Sequence, residues 1–389
     1  AVYAGAQMVR VHDVRENLQA VRMLEAAKHI DGPVLVHVLT KKGKGYKPAE
    51  EHPNTFHGTG PFDIATGKKI SPPGAPITYT KAFGDTLMQL AAEDESIVGI
   101  TAAMPDGTGL TDFAKKYPDR FFDVGIAEQH AVTAAAGMAA AGLKPVAAVY
   151  STFMQRAYDS VLHDICMQKL HVILCLDRAG LVGDDGYTHH GVFDYAYLRS
   201  MPNMTIMAPK DEDELRHMLN TALGMEAPVA VRYPRGSGRG VELSSSLNEL
   251  QIGKAEVLRE GRDVCFWAIG SMVENAEKAA DLLQECGIDA GVVNMRFAKP
   301  LDETLLKEHA KRYKYIVTLE EGVLSGGVGS AVLESLNSAG LLPNCRVLNL
   351  GIPDAFVPQG DKKYLLRDLG LDAASVAEQT KRFVKGEDR

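Results

Sequence analysis

Four stretches of this 389-residue chain carry residue types that could do chemistry. In DVGIAEQHAV, Glu128, Gln129 and His130 open an otherwise apolar, alanine-rich run. A helix dipole favours an acid in the first turn, so a plain helix-opening glutamate is one reading of Glu128 and a functional acid the other. In VYSTFMQRAYD, Tyr150, Phe153 and Arg156 follow directly on an apolar run, with Phe153 and Tyr158 also readable as core. LDRAGLVGDDGYTHHGVFD gathers Arg178, Asp184, Asp185, His189, His190 and four glycines after a hydrophobic run. Neighbouring histidines and acids raise the idea of a metal, but neither H-E-x-x-H nor Cys/His spacing is present, and an anionic substrate suits Arg and His in a glycine-rich loop better. VRYPRGSGRG places Arg232, Arg235 and Arg239 among glycines, and guanidinium forks grip phosphate at two points, although a solvated basic loop has the same composition.

Elements that could position these residues are legible from periodicity. Apolar runs at SIVGITAAM, PVAAVY, HVILCLD, MTIMAP and APVAVRYP read as buried strands, separated by helical patterns such as TKAFGDTLMQLAAE, opened by a Thr cap. Glu128 to Ala141 reads as a helix stopped at Gly142, and FMQRAYDSVLHDICMQ as another. A polar, Gly/Ser-rich stretch at 236–253 interrupts the alternation, which restarts with DVCFWAIG, ENAEKAADLLQEC, IDAGVVNMR, ETLLKEHAKR, YIVTLE, SAVLESLNSAG and CRVLNL. The expected class is therefore α/β, with two doubly wound, mostly parallel sheets. Such sheets bind ligands at the carboxyl ends of their strands, where all four stretches fall. The glycines of GVLSGGVGSAV resemble a phosphate cradle but lack the P-loop lysine; close strand-to-helix packing explains them. Before these domains, VLVHVLT at 34–40 reads as a buried strand, followed by an aperiodic, charged, Gly/Pro-rich stretch to about residue 76. The expected division is 1–76, 77–240 and 250–389.

Composition narrows the class of function. Lys+Arg number 42 against 50 Asp+Glu, a net charge of −8, which is a poor background for nucleic-acid binding. No run of about 18 apolar residues could span a membrane, and the N-terminus lacks a signal-peptide pattern. The five cysteines show no C-x-x-C spacing and read as reduced core thiols, so a cytoplasmic protein is expected.

Taken together, GPVLVHVLTKKGKGYKPAE, FHGTGPFD, FFDVGIAEQHAV, VYSTFMQRAYDSVLHD, LDRAGLVGDDGYTHHGVFD, VRYPRG, MRFAKPLD, EEGVLSGGVGS and LNLGIPDAFVPQG resemble, in order, the 1-deoxy-D-xylulose-5-phosphate synthase family, relatives of transketolase. The resemblance implies a pyrimidine-binding domain, a C-terminal domain and a remnant of the N-terminal domain. It implies thiamine diphosphate and Mg²⁺ as cofactors, and a decarboxylating condensation of pyruvate with glyceraldehyde 3-phosphate. By resemblance, Glu128 is the carboxyl bonded to the aminopyrimidine ring, in a water-poor site, and Phe153 stacks on that ring. Arg178 and Arg235 match the arginines that hold the substrate phosphate. Tyr150, Arg156, Asp185 and His189 match the polar set around cofactor and reacting carbonyls, and His57 matches a histidine of the linker loop. A homodimer is also implied.

The chain departs from that pattern in one respect. The family's GDG motif followed by Asn, which holds magnesium on the diphosphate, is not found: Asp106-Gly107 lies in the wrong domain and GDDG at 183–186 belongs to the substrate loop. No metal ligand is therefore assigned, and the chain alone is expected to bind cofactor weakly and turn over little. The first 25 or so residues, AGAQMVRVHDVRENLQAVRML among them, resemble the closing strand and helix of the dihydropteroate synthase family, with Arg10 and His12 at anion-facing positions, but a (β/α)₈ barrel needs about 250 residues. Two other readings compete: a β-type subunit of a thiamine-dependent 2-oxoacid dehydrogenase completed by a partner chain, and a non-catalytic module.

Overall fold

A computed structural model describes residues 14–37, 39–53, 55–56, 60–68, 70 and 74–387. It divides into two compact units, Ala1–Ser71 and Pro72–Arg389. Within the first, an amphipathic helix spans Val14–Lys28 and a short one, with Pro48 in its first turn, spans Lys47–Glu51. Tyr46, Phe56 and Phe62 pack together with centroids 5.2–5.8 Å apart, Phe56 meeting each of the other two edge to face. The strand expected at 34–40 does not form in the residues described there. Leu35 and Leu39 are 93% and 85% exposed. An apolar run becomes a strand only when a neighbour takes up its N–H and C=O groups, and no strand is described beside it.

The second unit holds two sheets. The larger comprises β1 (Ile97–Thr101), β2 (Phe121–Asp123), β3 (Lys144–Tyr150), β4 (Ile173–Ala179), β5 (Thr205–Met207) and β6 (Val229–Pro234). The smaller comprises β7 (Glu256–Arg259), β8 (Val264–Ala268), β9 (Ala290–Asn294), β11 (Tyr315–Val323) and β12 (Arg346–Ile352). Strand β10 (Phe297–Lys299), although it follows β9, crosses to the larger sheet and pairs antiparallel with β5. The orders are β10-β5-β6-β4-β3-β1-β2 and β12-β11-β8-β9-β7, with only β10 and β7 antiparallel. The α/β, mostly parallel reading of the sequence is thus observed.

Both faces of the larger sheet are covered. Val146, Ala148, Ile173, Cys175, Val229 and Val231 face one core, whereas Ala147, Val149, Leu174, Leu176 and Ala230 face another. The second of these cores runs on through Cys265, Trp267, Val293 and Ile316 of the smaller sheet, so the two sheets share apolar interior. All five cysteines are free and all but Cys286 are buried, as core thiols should be. The helix Tyr79–Glu93 is capped by Thr78, whose hydroxyl accepts from the Lys81 N–H at 3.1 Å, two residues before the expected cap; Thr80 is engaged elsewhere.

Candidate active site

Gly125, at φ 70°, turns the chain out of β2 and into the helix Glu128–Ala140. Ala131, Val132, Ala135 and Ala136 bury that helix against the sheet and leave Glu128 at its first turn, 1% exposed. Arg156 Nη1 donates to Glu128 Oε1 at 2.7 Å. Glu128 Oε2 is buried without any partner. One carboxylate oxygen is therefore fixed and the other is bare, in a place where an unmet acceptor is costly.

Arg156 comes from the stretch after β3, expected as one helix from Phe153. It is instead broken: α-helical at Ser151–Met154, 3₁₀ at Gln155–Ala157, α-helical at Tyr158–Ser160 and π at Val161–Cys166. A 3₁₀ turn eclipses residues three apart, which sets Arg156 over Phe153, its guanidinium carbon 5.1 Å from the ring centroid. Phe153 stacks on Tyr150 at 5.8 Å and meets the His189 ring edge-on at 5.3 Å.

From Tyr150 the chain of contacts continues. The Arg178 guanidinium lies 3.9 Å from the Tyr150 ring centroid. Asp185 Oδ2 sits 3.5 Å from Arg178 Nη1 and 3.0 Å from Arg235 Nη1. Burial pushes the Tyr150 phenol above its ordinary pKa. Thr188 Oγ1 lies 2.8 Å from His189 Nδ1 and Thr152 donates to the Thr188 carbonyl, which ties the glycine-rich loop after β4 to the turn after β3. Glu128, Arg156, Phe153, Tyr150, His189, Arg178, Asp185 and Arg235 thus form one connected set. His57, Arg10 and His12 lie outside the described residues.

Other expectations change. Arg232 is not a phosphate grip: it is buried, its Nε 2.8 Å from both Asp194 oxygens and its Nη2 donating to the Gly191 and Glu321 carbonyls. Arg239 pairs with Glu277 at 2.8 Å. The cradle of GVLSGGVGS is filled by Glu320, which accepts from the Val328 and Gly329 N–H groups at 2.8 Å each. An alanine Cβ at Gly329 would lie 2.7 Å from the Asn349 amide carbon, so close packing does account for that glycine. Two acids escaped the sequence reading. Glu321 accepts from the Leu181 N–H, Ser271 and Lys362, bracing the glycine-rich loop after β4 against the smaller sheet. Asp177, wholly buried, directly precedes Arg178; an acid ending an otherwise apolar strand was the signal that could have found it.

Comparison with known proteins bears on this arrangement. Residues 75–240 match the transketolase pyrimidine-binding domain and residues 253–376 the transketolase C-terminal domain. A solved structure described as "Split gene transketolase, inactive beta4 tetramer" is 35% identical with a TM-score of 0.70, covering 80% of this chain and 99% of that one. The chain belongs to the transketolase family. Among curated relatives it is 59% identical over 94% of its length to 1-deoxy-D-xylulose-5-phosphate synthase 1 of Geobacter sulfurreducens. It is 58% identical over 93% to the synthase of Heliobacterium modesticaldum. It spans 57% and 56% of those two relatives.

A transketolase-family protein implies thiamine diphosphate, and the residues present fit one end of it. The bare Glu128 Oε2 beside the half-buried Phe153 ring offers a hydrogen-bonding atom and a flat apolar surface to an aminopyrimidine. Among the described residues no group of three or more His, Cys, Asp or Glu could hold a metal ion.

Proposed function

We propose that this chain provides the pyrimidine-binding and C-terminal parts of a 1-deoxy-D-xylulose-5-phosphate synthase, joining pyruvate to glyceraldehyde 3-phosphate with loss of carbon dioxide. The observation that carries this reading is the unbroken contact chain from the bare oxygen of Glu128 to the arginine pair at Asp185. It supports a heterocycle site next to a phosphate site. When bound, thiamine diphosphate supplies a carbon nucleophile and an electron sink for decarboxylation. Glu128 holds a proton against a ring nitrogen, its other oxygen fixed by Arg156. Phe153 carries the ring. Arg178 and Arg235 exchange Asp185 for the substrate phosphate, and Tyr150, Asp185 and His189 orient the reacting carbonyls. His57 belongs to this set by resemblance.

Diphosphate and Mg²⁺ ligands are expected from a second polypeptide region. The split-gene relative, an inactive beta4 tetramer, supports the expectation that a chain of this extent self-associates and is inactive alone. The division near residues 76 and 240–250, a homodimer in the complete enzyme, and a cytoplasmic location complete the proposal. Among the described residues no helix is long and apolar enough to cross a membrane. The test is turnover of pyruvate with glyceraldehyde 3-phosphate, by this chain alone and after addition of a family diphosphate-binding domain. Product only with the added domain is expected. Transfer to a lipoyl acceptor instead would favour the 2-oxoacid dehydrogenase subunit, and loss of all thiamine diphosphate binding in the mixture a non-catalytic module.

A further inference from the structure

Three side chains lie in a row across neighbouring strands at their carboxyl ends. Tyr150 of β3 pairs with Asp177 of β4. The β4–β6 register slips between Leu176↔Arg232 and Ala179↔Pro234, so Asp177 and Arg178 together oppose the single residue Tyr233. That is a β-bulge, and Arg178 occupies it at the left-handed φ of 57°. The bulge is what brings the arginine over the Tyr150 ring while its neighbour points into the protein.

Asp177 is wholly buried. Its Oδ2 accepts one hydrogen bond, from Thr80 Oγ1 at 2.9 Å, and its Oδ1 has none. The Tyr233 hydroxyl is also buried and unpartnered. The groups that face the carboxyl are Thr80 from the helix Tyr79–Glu93, Tyr150 from β3, Cys175 on its own strand, and Tyr233 from β6, all neutral hydroxyls or thiols. Arg178 and Arg235 lend it positive potential. A carboxylate out of water, with one side-chain donor and the Arg178 backbone beside it, stays ionised chiefly through the compensation of such cations. Those cations are also the pair that Asp185 bridges.

A bound dianion would claim the same compensation. We infer that Asp177 is a positioning residue of the anion site that takes up a proton from solvent when a dianionic group engages Arg178 and Arg235, so that the site holds its anion without a buried like charge behind it. Burial pushes the Asp177 carboxyl up to about 7, which places this exchange near neutrality. Anion affinity then falls as pH rises through that value, as Asp177 ionises and repels the ligand.

The inference rests on the reading that Arg178 and Arg235 hold an anion, but its test needs neither cofactor nor turnover. Sulfate serves as the probe, because its own charge is constant near neutrality. Its binding to the full chain is followed by calorimetry in two buffers of different ionisation heat. A fraction of a proton per sulfate is expected to be taken up near pH 7, with affinity weakening several-fold between about pH 6 and about pH 8. Asp177→Asn is expected to bind sulfate with no uptake and a flat pH profile, which separates Asp177 from His189 and His190. Thr80→Val, which removes the side-chain donor to the carboxylate, is expected to move the midpoint of uptake to higher pH. Unchanged uptake in Asp177→Asn, no uptake in the parent chain, or no sulfate binding at all overturns the inference. A failed synthase assay beside normal proton uptake would reject the proposed reaction and leave the anion site standing.

Discussion

Arg156 takes one oxygen of Glu128 at 2.7 Å and leaves the other buried and bare. The pair is asymmetric: the Glu128 side chain is 2% exposed and that of Arg156 51%. Arg156→Ala would therefore strand a buried carboxylate, at a cost of about 1–3 kcal/mol. Glu128→Gln keeps shape and removes the charge, so its stability should stay within about 1 kcal/mol of the parent. Urea unfolding of both variants and of the double variant checks this. The double variant should recover most of the Arg156→Ala loss, because the charge that needed a partner is gone. In the chain completed with a diphosphate-binding domain, Glu128→Gln should also abolish exchange of the thiazolium C2 proton followed by NMR; retained exchange would reject the proposed role.

Two buried acids make folding stability fall as pH rises. Burial pushes Asp177 and Glu320 up to about 7 from ordinary values of 3.8 and 4.5. The unfolded chain releases these protons first, so the stability they contribute is complete below the ordinary values. It is lost as pH climbs to about 7 and level beyond. Raising one carboxyl by a single pH unit is worth about 1.4 kcal/mol. Asp94, drawn down to about 2 by Ser96 and Lys144, works in the opposite direction and loses its contribution only in acid. Unfolding midpoints measured from about pH 4.5 to about pH 8 should decline, and Asp177→Asn should flatten the decline. A midpoint rising across that range contradicts the assignment.

Gly107 leaves room for Tyr150. A Cβ at position 107 would lie 1.7 Å from the Tyr150 hydroxyl and 2.7 Å from its ring carbon. Gly107→Ala must push that ring, and with it the Arg178 guanidinium stacked on it at 3.9 Å. The expected result is destabilisation of about 1–3 kcal/mol and weaker sulfate binding. Removing the hydroxyl as well, in Gly107→Ala with Tyr150→Phe, should restore part of both. Unchanged sulfate affinity in Gly107→Ala would show that the arginine does not depend on the ring.

How far the sequence spoke depends on whether a signal was local. PVAAVY and HVILCLD are continuous apolar runs because parallel strands are covered on both faces, and both became central strands. Glu128 and the loop from Arg178 to His190 stood out because charge at a strand or helix end within apolar surroundings is unusual. VLVHVLT had the same strand pattern, but pairing is a property of neighbours, not of the run itself. Thr78 caps the helix and Thr80 falls within its first turn, where its hydroxyl is taken by Asp177, 97 residues beyond. The broken helix after β3 leaves no mark in composition, since 3₁₀ and π turns use the same residues as α-helix.

The sharpest case of distance deciding function is the pair Arg232 and Arg235. In VRYPRG they look alike, yet Arg232 is buried on Asp194, 38 residues away in sequence, while Arg235 reaches Asp185 with its side chain 36% exposed. Arg232 also donates to two carbonyls and packs 4.0 Å from the Tyr195 ring centroid. Arg232→Ala would leave Asp194 a buried, uncompensated carboxylate with only Ser151 and the Tyr195 N–H as donors. The expected cost is about 3–5 kcal/mol, read as a large drop in the urea midpoint. Arg235→Ala removes a half-exposed ion pair, so stability should move by no more than about 0.5 kcal/mol while sulfate affinity falls at least several-fold. If Arg232→Ala folds as well as the parent, or Arg235→Ala binds sulfate equally well, the division of labour between these two arginines is wrong.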